Sequence, residues 1–141
     1  MNITPLTRPV FSSREKNFAK YATHAEEIQR GVLKHLISEA SSTEWGIKHN
    51  YCDIRQYEQF AKSVGVQDYE TLKHDIDRMR RGEKDVLWKG RCKWYAKSSG
   101  TTNDKSKFIP VTPAGLHNVH YKGGTDVVAQ YIANNPSSRL F

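Results

Sequence analysis

Apolar residues recur at steps of three and four positions between Ser13 and Ala40. This period places them on one face of a helix, so the pattern predicts an amphipathic helix that begins near Ser13 and packs that face against a core. The first twelve residues contain Pro5 and Pro9 and lack this period. We therefore expect residues 1–12 to form an extended lead-in.

Two further helices are predicted downstream. The shorter one covers residues 54–63 and places its aromatic and small apolar residues on one side. The longer one begins after Asp68, which can cap it, and ends at Gly82, which suits the left-handed conformation past a helix end. Its buried stripe is predicted to consist of Tyr69, Leu72, Ile76 and Met79. Residues 13–82 are thus predicted to be mainly helical.

The pattern then changes to a two-residue period. In "RCKWYAKSS", Cys92, Trp94 and Ala96 alternate with charged residues and with Tyr95. This alternation predicts a half-buried strand in which Cys92, Trp94 and Ala96 face the core. "KFIPVT" predicts a second strand, so residues 88–112 are expected to form a strand-loop-strand unit.

A last helix is predicted over residues 113–134. Thr112 can cap this helix, and Pro113 suits its first turn, where a missing backbone N–H loses no helical bond. The apolar stripe expected to be buried consists of Leu116, Val119, Gly123, Val127, Val128, Tyr131 and Ile132. Helices, a strand pair and a further helix together predict the α/β class.

The composition is that of a folded protein. The 141 residues fit one domain, and 37% of them are hydrophobic and 11% aromatic. No apolar run is long enough to span a bilayer, and the first residues lack the apolar core of a secretory signal. These features predict a cytoplasmic protein with no membrane partner. Cys52 and Cys92 lie outside any zinc-binding spacing, so we expect free, buried thiols.

Basic residues outnumber acidic ones by 22 to 15, and the formal net charge of +7 favours an anionic partner. "RMRRGEK" and "WKGRCKWYAK" are the segments that would suit single-stranded nucleic acid. The first also fits a helix end, where positive charge interacts favourably with the helix dipole, and the second loses Trp94 to the predicted core. A nucleic-acid binding module and a scaffold without its own site are kept as alternatives. His117 and His120 lack a third ligand, so no metal site is predicted.

The segment between the two predicted strands, "SSGTTNDKSK", combines hydroxyl groups, a glycine and two lysines. Phosphate oxygens need several donors close together. Gly100 allows backbone angles at which N–H groups converge, hydroxyl groups add donors, and lysine adds charge. The same residue types are ordinary in an exposed hairpin loop, and composition alone favours that plainer interpretation. The segment matches neither GxxxxGK[ST] nor GxGxxG.

The order of residues in this loop resembles a known family. "SSGTT" followed by a lysine is similar to the phosphate-binding loop of the acyl-adenylate-forming superfamily. The longer "SSGTTNDKSKFIPVT" resembles the plant auxin-responsive Gretchen Hagen family and its bacterial relatives. "YETLKHDIDRMRRGEKDVLWKG" before the loop and "PSSRLF" after it also resemble that family. The resemblance therefore covers residues 55–141.

The resemblance implies an ATP-dependent ligase that activates a carboxylic acid as an acyl-adenylate and transfers the acyl group to an amine, such as an amino acid. It implies ATP and Mg²⁺ as cofactors, and a carboxylic acid and an amine acceptor as partners. Lys107 matches the family's lysine and is the expected catalytic residue. The residues expected to bind ATP phosphates are Ser98, Ser99, Gly100, Thr101, Thr102 and Lys105.

Two features depart from that family. Asn103 and Asp104 stand where a glycine is common; both tolerate left-handed backbone angles, but the Asp104 carboxylate would repel phosphate unless it points away or lies near the metal. Family members are also several times longer. The chain is therefore expected to be the amino-terminal part of a large acyl-adenylate-forming domain, and not to be catalytically complete.

Overall fold

The computed structural model describes residues 4–99 and 106–139. Its elements, in chain order, are α1 (Thr4–Thr23), α2 (Ala25–Ala40), α3 (Glu44–Lys48), a 3₁₀ turn (Tyr51–Asp53), α4 (Tyr57–Ser63), α5 (Tyr69–Arg80), β1 (Trp94–Lys97), β2 (Phe108–Val111), α6 (Pro113–Gly115), a π-helical segment (Leu116–Tyr121) and α7 (Lys122–Asn134). Met1–Ile28 with Ala114–Phe141 form one compact unit, and Gln29–Pro113 form another. A mainly helical chain with one small antiparallel sheet is consistent with the predicted α/β class.

In the first unit, α1 packs against α7, and two arginines of α1 tie the helices together. The Arg8 guanidinium donates to the carbonyls of Ile132 (3.2 Å) and Pro136 (2.6 Å). The Ile132 carbonyl lies in the last turn of α7, where helix carbonyls lack partners within the helix, and the Pro136 carbonyl lies just past the helix end. Arg14 forms an ion pair with Asp126, in which Nε lies 2.7 Å from Oδ1. The two arginines thus hold α1 to α7 at separate points along α7.

The expected extended lead-in over residues 1–12 is wrong, because α1 begins at Thr4. Pro5 lies in the first turn, where its missing N–H loses no helical bond. Pro9 lies further inside the helix, which packs against α7. Tertiary packing commonly overrides helix propensity. The single helix predicted to reach Ala40 is in fact two helices, α1 and α2.

One core cluster of the second unit forms around the end of α2. Its buried members are Ile37, Ala40, Tyr51 and Ile54, and the partly buried residues packed around them are Leu33, Trp45, Phe60, Val64 and Trp88. Removing apolar surface from water stabilises a fold by about 25 cal/mol per Å². Burial in this cluster also raises the pKa of the Tyr51 phenol.

α3 follows α2 through a close approach of two backbone segments. Thr43 is buried, accepts a hydrogen bond from the Gly46 N–H at 3.0 Å, and donates to the Ala40 carbonyl at 2.7 Å. A Cβ on Gly46 would lie 2.0 Å from the Ala40 carbonyl oxygen, so glycine alone fits at this position. The Thr43 cap and Gly46 together fix the turn from α2 into α3.

A second core cluster joins α5 to β1. Met79, Val86 and Cys92 are buried, and Tyr95 packs against them. The predicted alternation is wrong here, because Trp94 is 68% exposed, whereas burial and then a contact with Cys92 raise the pKa of Tyr95 to about 12. β1 begins at Trp94, so the two-residue period does not extend back to Cys92. Cys92 and Tyr95 consequently belong to the same core cluster.

Both cysteines are free, as expected, but only one of them is buried as predicted. Cys52 is exposed because it lies in the 3₁₀ turn whose buried position is taken by Tyr51. The Cys92 sulfur lies 3.2 Å from the Trp94 carbonyl oxygen and 3.6 Å from that of Val111. The buried thiol therefore contacts both β1 and β2.

The helical region after β2 differs from the predicted apolar stripe. Ile132 is buried as expected, but Val119 and Val127 are 72% and 70% exposed. The π-helical segment Leu116–Tyr121 accounts for the shift. A π turn contains more residues than an α turn, so it changes the angular phase between the side chains before and after it.

α5 begins directly after Asp68, the residue predicted to cap it. The Thr71 N–H donates to the Asp68 carboxylate at 2.8 Å, and the Asp68 N–H donates to the Thr71 hydroxyl at 3.0 Å. Past the other end of α5, Gly82 has a φ of 99°, as expected of a residue that follows a helix. Both ends of α5 are thus set by local residue chemistry.

The Gly46→Ala substitution is expected to lower the free energy of unfolding by about 1–3 kcal/mol, because the added methyl group overlaps the Ala40 carbonyl. Gly31→Ala, at an open position of α2, is the matched control and should raise it by about 0.5–1 kcal/mol through helix propensity. Urea unfolding followed by the fluorescence of Trp45 and Trp88 measures both changes. An unchanged unfolding midpoint for Gly46→Ala would contradict the close approach.

The cap of α5 is expected to weaken in acid. The Thr71 N–H, followed by the Thr71 hydroxyl, holds the pKa of the Asp68 carboxyl below its ordinary value of 3.8. The cap therefore contributes fully above that value and is lost as pH falls through the lowered pKa. Hydrogen-exchange protection of the Thr71 amide should show this loss. Asp68→Asn keeps a capping oxygen that does not titrate, so an identical pH dependence in both proteins would refute the assignment.

Candidate phosphate-binding loop

The candidate loop is carried by the antiparallel strands β1 and β2. Their register pairs Trp94 with Val111, Tyr95 with Pro110, Ala96 with Ile109, and Lys97 with Phe108. Both strands lie within the strand-loop-strand region that the sequence predicts. The loop between them therefore leaves the sheet after Lys97 and returns at Phe108.

Ser98 and Lys107 close this loop one step beyond the last strand pair. The Ser98 N–H donates to the Lys107 carbonyl at 3.0 Å, and the Lys107 N–H donates to the Ser98 hydroxyl oxygen at 3.0 Å. The hydroxyl accepts in this contact, so its own proton stays available for donation. Both ends of the loop are consequently held at one point, and Ser98 can still donate to an anion.

The described part of the predicted site consists of Ser98, Ser99 and Lys107. Ser98 and Lys107 are half-buried and close to each other, and Ser99 is exposed. The predictions for four further residues fall outside the part of the chain that the structure describes: Gly100, Thr101, Thr102 and Lys105. The structure thus describes the base of the loop, where its two ends meet.

α5 supports the returning strand at two points. The Phe108 N–H donates to the Tyr69 hydroxyl at 3.1 Å, and the Lys107 ammonium lies 5.5 Å from the centre of the Tyr69 ring. At the other end of the helix, the Arg80 guanidinium lies 3.6 Å from the centre of the Phe108 ring. Stacked cations and aromatic rings attract each other through the ring quadrupole. The start of β2 is therefore anchored to one rigid helix.

Sequence reasoning missed these supporting roles. The apolar pattern assigned Tyr69 to a buried stripe and treated Arg80 as a charge at a helix end. Tyr69 is instead half-buried, with its hydroxyl on the strand backbone and its ring beside Lys107. The sequence signal available was a tyrosine directly after a helix cap, and this signal does not identify the strand that it contacts.

The arginines of "RMRRGEK" are paired with carboxylates. Arg78 contacts Glu44 at 2.6 Å, Glu83 at 2.8 Å and Asp75 at 3.3 Å, and the Glu44 and Glu83 contacts raise its pKa. Hydrogen bonding from Arg78 in turn lowers the pKa of Glu44. Arg80 pairs with Asp77 at 2.9 Å. The observed contacts of these arginines join parts of the second unit, so they give the nucleic-acid alternative no support.

The described residues bear on two further expectations, a metal site and a membrane span. His117 and His120 are exposed on the π-helical segment. Within residues 4–99 and 106–139, no cluster of three or more histidine, cysteine, aspartate or glutamate side chains has a metal-binding arrangement. Among these same residues, no helix combines the length and the apolar character that crossing a membrane requires.

Ser98→Ala is expected to speed hydrogen exchange of the Lys107 amide, because it removes the acceptor for that N–H. A net value of about 1 kcal/mol for such a bond corresponds to a change of about fivefold. Ser99→Ala removes the hydroxyl of an exposed neighbouring serine and is the control. Amide exchange measured by NMR checks both variants; equal rates for the Lys107 amide in wild type and Ser98→Ala would rule out the closing bond.

The sequence of this chain matches a known protein family. The family model described as the GH3 family N-terminal domain matches residues 14–139. The indole-3-acetic acid-amido synthetase GH3.15 of Arabidopsis thaliana is 32% identical over 97 residues, which are 67% of this chain and 16% of the relative. The 4-substituted benzoates-glutamate ligase GH3.12 of the same plant is 27% identical over 118 residues, or 81% of this chain and 20% of the relative.

The indole-3-acetic acid-amido synthetase GH3.6 of Arabidopsis thaliana is 29% identical over 89 residues, which are 62% of this chain and 14% of the relative. The chain thus spans a fifth or less of the length of these curated relatives. The family match covers most of the chain, including both strands and the closing pair of the loop. The chain belongs to the GH3 family and carries its N-terminal domain sequence.

Proposed function

We propose that this chain provides the ATP-phosphate-binding loop of a ligase that activates a carboxylic acid and transfers the acyl group to an amine. The observation that carries the proposal is the closing pair of Ser98 and Lys107 at the base of the hydroxyl-rich loop. It brings a hydroxyl donor and a cationic residue to one place. Membership of the GH3 family supports the same reaction class.

The proposed reaction places negative charge next to this pair. The acid carboxylate attacks the α-phosphorus of ATP, the bond to the bridging oxygen breaks, and pyrophosphate leaves with its electron pair. The amine then displaces AMP from the acyl-adenylate and loses a proton, which leaves an amide. Positioned donors accelerate such steps by stabilising charge as it develops. Ser98 and Lys107 would act in this way in the first step.

The described residues fit a triphosphate through their donors. The Ser98 hydroxyl keeps its proton free while accepting from the Lys107 N–H, and the lysine ammonium supplies a mobile positive charge. Ser99 is exposed and offers a second hydroxyl. Mg²⁺ bound to the triphosphate would neutralise part of its charge. The four residues Gly100, Thr101, Thr102 and Lys105 complete the proposed set.

The names of the relatives support the proposed substrate classes. One relative is named as an indole-3-acetic acid-amido synthetase, and another as a 4-substituted benzoates-glutamate ligase. Both names contain a carboxylic acid, and the second also contains an amino acid. We therefore propose a carboxylic acid and an amino acid as substrates of the protein to which this chain contributes.

Lys107→Ala and Thr101→Ala are each expected to lower acid-dependent ATP–pyrophosphate exchange by about tenfold or more, because each removes a group that stabilises developing charge. The assay uses the product of the native reading frame that contains this chain, with a panel of carboxylic acids. Lys34→Ala, on the exposed part of α2, is the matched control and should leave exchange unchanged. Undiminished exchange in both loop variants would remove the loop from the mechanism.

A further inference from the structure

Tyr69 contacts two consecutive residues at the end of the candidate loop. Its hydroxyl accepts a hydrogen bond from the Phe108 N–H at 3.1 Å. Its ring centre lies 5.5 Å from the ammonium nitrogen of Lys107. One side chain therefore contacts both the backbone that follows the lysine and the charged group of the lysine itself.

Tyr69 is itself firmly placed. It is the first residue of α5 and directly follows the Asp68 cap, whose carboxylate accepts the Thr71 N–H at 2.8 Å. Phe108 is held a second time from the same helix, because Arg80 lies 3.6 Å over its ring. Arg80 is fixed in turn by Asp77 at 2.9 Å. The helix therefore sets the direction in which the chain leaves the loop.

The Lys107 charge also acts on the Asp68 carboxyl, which lies at the start of α5. Several groups lower the pKa of the Asp68 carboxyl, led by the Thr71 N–H and hydroxyl, and the Lys107 charge is one of them. A lysine side chain is long and flexible, so it loses much rotational freedom when it is fixed on an anion. A neighbouring aromatic ring reduces that freedom before the anion binds.

We propose that Tyr69 is a positioning residue for Lys107. Its hydroxyl fixes the backbone at Phe108, and its ring restricts the ammonium group to the side of β2 that faces α5. The lysine then binds the phosphate group from a limited set of conformations, which favours both affinity and rate. This inference rests on the proposed function of the loop.

Two substitutions separate the contributions of the ring and the hydroxyl. Tyr69→Phe removes the hydroxyl and keeps the ring, whereas Tyr69→Leu removes both. Tyr57→Phe makes the same chemical change at an exposed position of α4 and is the matched control. Each Tyr69 variant is combined with Lys107→Ala, so that a loss acting through the lysine is distinguished from a loss acting elsewhere.

The first measurement is NMR of the 141-residue chain without any ligand. Ring-current shifts of the Lys107 side-chain protons should persist in Tyr69→Phe and disappear in Tyr69→Leu. Exchange of the Phe108 amide should become faster in both variants and stay unchanged in Tyr57→Phe. Lysine shifts that are the same in wild type and Tyr69→Leu would overturn the inference without bearing on ATP chemistry.

The second measurement is ATP–pyrophosphate exchange in the protein that contains the chain. Tyr69→Leu should lower kcat by about threefold to tenfold and should cause no further loss in the Lys107→Ala background. Tyr69→Phe should recover part of this loss, because it restores the ring. Equal fractional losses in both backgrounds would show a purely structural role and overturn the inference alone. Exchange that Lys107→Ala leaves intact would overturn the positioning role, and exchange that Thr101→Ala also leaves intact would overturn the proposed function as well.

Discussion

A two-stranded antiparallel ribbon is marginally stable in water, so β1 and β2 depend on what packs against them. In this protein the ribbon is held by α5, through the Tyr69 hydroxyl on the Phe108 backbone and the Arg80 guanidinium on the Phe108 ring. The packing of Tyr95 against the cluster of Met79, Val86 and Cys92 adds a third attachment. The loop geometry therefore depends on a helix that lies well before it in the sequence.

The same helix carries two arginines, Arg78 and Arg80, that form ion pairs within the second unit. A net charge of +7 suggests a surface for anions in general. Arg78 nevertheless contacts three carboxylates within the second unit, and Arg80 contacts one. Lys107 differs from these arginines because it lies beside an aromatic ring, which attracts the charge without neutralising it. The Asp68 carboxylate accepts the Thr71 N–H in the cap of α5, and this bond, followed by other contacts that include the Lys107 charge, lowers the pKa of Asp68.

Features set by a few neighbouring residues could be predicted from the sequence. The Asp68 cap, the positive φ of Gly82 and the strands on both sides of the loop are of this kind, because their causes lie within a few positions. The prediction of an extended lead-in was wrong because α1 is stabilised by residues distant in the sequence. Arg8, for example, donates to carbonyls near the end of α7. The prediction that Trp94 faces the core was wrong because β1 begins only at Trp94, so the two-residue alternation does not continue from Cys92.

The candidate site also contains residues that the sequence could predict and residues that it could not. Residue order and family resemblance identified Ser98 and Lys107, which the structure brings together at the loop base. The role of Tyr69 could not be predicted, because 39 positions separate it from Phe108 and no local pattern encodes that pairing. The inner residues of the loop, from Gly100 to Lys105, stay predictions.

The closing pair of Ser98 and Lys107 has a consequence for how the family sequence can vary. Two hydrogen bonds between Ser98 and Lys107 fix the ends of the loop, and neither bond involves a residue between them. Closing a flexible loop becomes less favourable by only about 0.6 kcal/mol for each doubling of its length. Both closing bonds can therefore be kept while the sequence between them changes, as it does where Asn103 and Asp104 stand in place of the glycine that is common in similar loops.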